Sequence, residues 1–121
     1  MTGYAVRRPW RSFKSYDALM AIPVTPEFAA FIVKEVQQIF PRRKFRPKIV
    51  FSKRNPRMRL GTAFIKEQRI VLYKRGWQLE TLLHEIAHLL DPEPVGNAHN
   101  ADFYHRCDLL EMELFSAPLI D

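Results

Sequence analysis

Three residues in the second half of the chain have types and a spacing that can do chemistry: His84, Glu85 and His88, in the run His84-Glu85-Ile86-Ala87-His88. Residues four apart on a helix sit one turn above each other, so both imidazoles leave the same side and reach one metal ion at about 2.0–2.1 Å. Glu85 lies about 100° around the helix from His84, where a carboxylate addresses a water beside the metal without binding the metal. The pattern predicts an open zinc site, one ion per chain, with Glu85 as general base. Such a site needs a third protein ligand, and His99 is the best placed. It follows His88 across a loop whose Pro92, Pro94 and Gly96 can reverse the chain. Asp102 and His105 compete for that position, whereas Asp91 and Asp108 read as surface or supporting carboxylates. Tyr73, Tyr104 and His105 are candidates for a second electrophile, and the sequence does not rank them.

The ligands must be held by regular elements, and the apolar pattern supplies them. From about Trp77 the period is helical, with Leu79, Leu82, Leu83, Ile86, Leu89 and Leu90 apolar until Pro92 forbids continuation. A last helix is expected from about Asn100 to Phe115, with Phe103, Leu109, Leu110 and Leu114 in its core face. Upstream, Thr25 followed by Pro26 is a helix start, and Phe28, Phe31, Ile32, Val36, Ile39 and Phe40 form one apolar face that Pro41 ends. Lys48 to Phe51, Gly61 to Ile65 and Arg69 to Tyr73 read as strands, the last two joined as a hairpin through Lys66, Glu67 and Gln68. The expected fold is α+β: a small three- or four-stranded sheet packed with an N-terminal helix, the helix of the histidine pair and a C-terminal helix. Residues 1–24, basic and aromatic without a clear period, read as an arm ahead of a domain spanning 25–121.

Composition narrows the function classes. With 121 residues and 47% hydrophobic side chains the chain suits one domain with a real core. A single cysteine, Cys107, leaves no disulfide and no paired-thiolate metal site, so a metal must be held by imidazole and carboxylate. No apolar run is long enough for a membrane span or a secretory signal, which places the chain in the cytoplasm as an expectation. The net charge of +6 is unevenly laid out: residues 1–60 hold 14 of the 19 basic side chains and three of the 13 acids. The densest stretch runs from Arg42 to Arg59 without an acid. Within it Arg42, Arg43 and Lys44 are expected to meet nucleic acid phosphates without sequence preference.

From His84 to Tyr104, the sequence HEIAHLLDPEPVGNAHNADFY resembles the active-site region of SprT-like and WLM metallopeptidases, small zincins in which HExxH is followed by a variable loop and an HxxxF motif. Ala98 stands where that pattern expects a glycine or proline. The likeness extends over about residues 26–115 and leaves the arm outside. It implies a minimal zincin-like domain, zinc on His84, His88 and His99, Glu85 as base, and a protein or peptide substrate. SprT-like eukaryotic members act on proteins crosslinked to DNA, which would suit the basic half. Two other readings use the same residues: a metal-dependent hydrolase of a non-peptide substrate, and a nucleic-acid-binding domain with a structural zinc, in which Glu85 would be dispensable.

Overall fold

The computed structural model describes residues 14–41, 44–90, 99 and 101–120. The elements run α1 (Lys14–Met20), α2 (Pro26–Ile39), β1 (Lys48–Phe51), β2 (Gly61–Phe64), β3 (Arg69–Leu72), α3 (Leu79–Leu89) and α4 (Ala101–Ile120), with a 3₁₀ turn at Lys74–Gly76. The fold is α+β, with the three strands in a mixed sheet of order β1-β3-β2. The hairpin expected from the sequence is there, with β2 antiparallel to β3 and Gly61 opposite Leu72. β1 pairs parallel to β3 on the other side, Lys48 opposite Arg69. Strand β2 is therefore a sheet edge, and α3 packs across β2 and β3 with α4 on its other flank. Among the described residues no helix is long and apolar enough to cross a membrane.

Local chemistry accounts for each element. Thr25 caps α2 by accepting from the Phe28 N–H at 3.1 Å, and Pro26 fills the first turn, where its missing donor goes unneeded. The helix buries Ala29, Ile32 and Val36; Phe31, expected on the apolar face, instead stays 54% exposed and stacks on Phe28. One position in the periodicity was enough to turn Phe31 outward, because the inward stripe is narrow. The turn from β2 to β3 puts Gln68 at φ 51, a conformation unfavourable for a side chain. Gln68 offsets this by its own bonds: its side-chain amide donates to the Ile65 carbonyl, its side-chain oxygen accepts from Arg46 N–H, and its carbonyl accepts from Lys48 N–H. The bond to Lys48 sets the register of β1.

Helix α3 is the centre of the domain. Leu79, Leu82, Leu83, Ile86, Ala87, Leu89 and Leu90 are all buried, and full burial of a leucine or isoleucine contributes roughly 1.5–3 kcal/mol. Its start is fixed by the segment before α2: Val24 N–H donates to Trp77 O at 2.9 Å and Leu79 N–H to Ile22 O at 3.0 Å. The stretch read as an arm, residues 1–24, is ordered in its second half, where it docks on the core. Residues 1–13 lie outside the described residues, but 14–20 form α1, and Met20 and Val24 belong to the core. The mixed composition of this stretch masked a short helix whose burial depends on α3, far away in sequence.

Gly76 in the 3₁₀ turn sits against the backbone of Leu60, so that a Cβ there would fall inside van der Waals contact of the Leu60 carbonyl. Backbone on both sides leaves nothing flexible to give way. Gly76→Ala is expected to destabilise the fold by about 3 kcal/mol, at the upper end of overpacking changes. Urea denaturation midpoints of the two proteins test this, an unchanged midpoint showing that the contact yields freely.

Candidate metal centre

His84 and His88 leave one side of α3, one turn apart, and His99 stands just ahead of α4. One ring nitrogen from each lies within 4.8 Å of the others, and His88 Nε2 to His99 Nε2 is 3.1 Å. Three imidazoles bound tetrahedrally at about 2.1 Å would hold their nitrogens about 3.4 Å apart, so the cluster fits a metal ion after a small closure of His84. A hydrogen bond between His88 and His99 would explain the shortest distance alone. It would leave the approach of His84 to the same point without a cause.

Beneath the three rings lies Phe103 from α4, fully buried. Its centroid is 4.9 Å from that of His84, 4.4 Å from His88 and 4.8 Å from His99, so one phenyl ring backs the whole set. Helix α4 is drawn onto α3 at the motif itself: Arg106 Nε donates to the Ala87 carbonyl at 3.1 Å. That bond supplies a donor close to the C-terminal end of α3, where backbone carbonyls lack helical partners.

Glu85 points to the other side, toward β2, and is 6% exposed. A Cβ on Gly61 would stand 3.1 Å from Glu85 Cγ and 3.2 Å from Oε2, so the glycine is what lets the strand close over the carboxylate. Burial pushes Glu85 up to about 7. Burial, with the charge of His99 adding to it, pushes His84 down to about 4. A bound cation would act in the opposite sense on the carboxylate.

These residues border a cleft of about 630 Å³ between the β2 edge and α3, walled by Met58, Arg59 and Leu60 from the preceding loop and by Glu80 and Thr81 from α3. The four residues singled out by spacing therefore converge. Their competitors do not: Asp102 and His105 are exposed and stand outside the cluster, and Asp91 lies outside the described residues. Tyr104 lies near the site, its ring tilted and 6.3 Å from that of His99. Tyr73 does not reach it, since its hydroxyl is 3.3 Å from Thr62 Oγ1 on the sheet face opposite Gly61. Of the predicted phosphate contacts, Lys44 is exposed and Arg42 and Arg43 lie outside the described residues. Two contributors escaped the spacing argument. Phe103 read as core and as the last position of the HxxxF likeness, without a place against the imidazoles, and Gly61 read only as the start of a strand, although a glycine there is itself a sign of close approach.

No family model, curated protein or solved structure matches the chain.

Two outcomes follow from this geometry. The wild-type chain is expected to take up about one equivalent of a divalent transition metal, and His99→Ala to fall well below that; full occupancy in the variant, by metal analysis after dialysis, removes His99 from the site. In the metal-free protein Glu85 keeps its proton up to about pH 7, whereas the unfolded chain releases it near 4.5. Stability owed to this group is therefore complete below about 4.5 and lost as pH rises through 7. Metal-free Glu85→Gln should then be more stable than metal-free wild type at pH 8, the gap narrowing as pH falls to 5. A constant gap across that range contradicts the burial of a carboxylic acid.

Proposed function

We propose that this chain is a zinc-dependent metallopeptidase of the SprT-like or WLM kind, holding zinc on His84, His88 and His99 and using Glu85 as general base. The observation that carries the reading is the buried Glu85 beside the three-histidine cluster, at the free edge of a strand. A structural zinc site has no need beside it of a carboxyl group that burial makes costly to ionise, since placing one there without a role only destabilises the fold. Zinc is the metal whose open sites are built from three protein ligands of this type, and when bound it supplies Lewis acidity for hydrolysis at neutral pH.

The chain's own residues supply the rest. Glu85 takes a proton from the attacking water and delivers it to the leaving nitrogen, one carboxyl group serving both steps. Gly61 and Thr81 press close to that carboxylate and hold it facing the cleft. Tyr104, whose ring lies 6.3 Å from that of His99, is better placed than Tyr73 to donate to a developing oxyanion.

The peptide class of substrate rests on the backbone of β2. Tyr73 N–H donates to the Leu60 carbonyl directly opposite it, which makes that pair a hydrogen-bonded one. Bonded and non-bonded pairs alternate, so the N–H and C=O groups of Gly61 and Ala63 turn away from β3. Both residues line the cleft. An extended peptide laid along this edge would add a strand and bring an amide past Glu85.

Zinc-loaded Glu85→Gln is expected to retain its metal and fold and to lose hydrolysis of an unfolded protein by about 10²-fold or more. Equal turnover by the variant, with circular dichroism and metal content unchanged, would falsify the assignment of Glu85 as base.

A further inference from the structure

The loop between β1 and β2, residues 52–60, carries Lys53, Arg54, Arg57 and Arg59 and no acid. It is built and held in place. Arg75 turns its guanidinium to this loop, donating to Asn55 Oδ1 at 2.7 Å, to the Pro56 carbonyl at 2.5 Å and to the Arg57 carbonyl at 3.0 Å. Lys74 N–H donates to the Arg54 carbonyl at 3.0 Å. Two acid-free stretches, 52–60 and 73–78, are thereby brought together, and they end at the cleft: Met58, Arg59 and Leu60 form its wall next to Gly61. Met58 is 90% exposed and Leu60 45%, two aliphatic side chains facing solvent beside a guanidinium.

We infer that this loop selects the substrate, and that the substrate is an extended polypeptide with an aliphatic side chain flanked by acidic ones. The inference rests on the peptidase reading and specifies its substrate. An aliphatic side chain buries Met58 and Leu60, while carboxylates beside it meet Arg57 and Arg59. Glu80 borders the cleft from α3, so the acidic end of the peptide is directed to the loop and away from the helix. Single-stranded nucleic acid shares the negative charge but needs aromatic platforms for its bases, and loop 52–60 contains none. Arg75 is a positioning residue: it touches no substrate and sets where Arg57 to Leu60 stand.

The test uses zinc-loaded Glu85→Gln, which binds without turnover, and fluorescence anisotropy at about 50 mM salt, where the electrostatic contribution is large. Probes are a short labelled peptide with leucine between glutamates, the same peptide with lysine for glutamate, and a deoxythymidine oligonucleotide. The glutamate peptide is expected to bind at least about tenfold more tightly than the lysine peptide. Adding Arg57→Glu and Arg59→Glu should abolish that preference with zinc content unchanged, and Arg59→Gln, which introduces no new charge, should reduce it partway. Arg75→Gln should weaken the glutamate peptide by a similar factor although the residue lies outside the cleft. Equal affinity for the two peptides, or binding of neither, overturns the inference. So does an oligonucleotide that binds more tightly than the glutamate peptide. Retained preference together with a wild-type enzyme that cleaves nothing overturns the hydrolase reading and leaves the docking surface standing.

Discussion

Everything in this domain is subordinate to one packing arrangement, the seat of three imidazoles on Phe103. His84 and His88 come from α3 and His99 from the approach to α4, so the cluster exists only while the two helices keep their mutual position. A phenyl ring within 5 Å of all three gives each imidazole an apolar face to rest on. The Arg106 bond to the Ala87 carbonyl fixes the same helix pair from the polar side. Precision at the cluster thus draws on packing and helix contacts behind the rings as well as on the rings themselves.

The second constraint is the placement of Glu85 between the cluster and β2. A buried carboxylate must be compensated or remain protonated, and here Gly61 and Thr81 crowd it at the border of the cleft. The molecule spends stability on this group. Leucines and isoleucines on the remaining faces of α3, buried almost without exception, are what make that expenditure tolerable in so short a chain.

Much of this was legible in the sequence, and the boundary is physical. His84, Glu85 and His88 are related by one turn of helix, and the β2–β3 hairpin by a four-residue turn, so local periodicity was sufficient for both. His99 was legible because prolines and a glycine between it and His88 announce a reversal of the chain. Helix α1 was not, since seven residues of mixed composition carry no period of their own and are stabilised by α3 through distant contacts. The attachment of Arg75 to loop 52–60 was equally hidden, because an arginine in a basic stretch gives no sign that its donors will be used on backbone carbonyls. Phe31 shows the opposite error, a residue with the right type at nearly the right phase that ends in solvent.

The open edge of β2 has a cost for the protein in solution. An unpaired strand is a template for a second copy of itself, and the groups left free at Gly61 and Ala63 are the ones self-pairing would use. Parallel pairing of two β2 strands would set loop 52–60 against its own copy, and antiparallel pairing would set it beside Lys66 of the other molecule. The parallel register puts cation against cation, while in the antiparallel one Glu67 stands beside Lys66 and offsets part of the charge. The arginines around the cleft therefore act as a guard against aggregation, and a variant neutralised there to ease crystallisation or raise expression would gain a sticky edge in exchange.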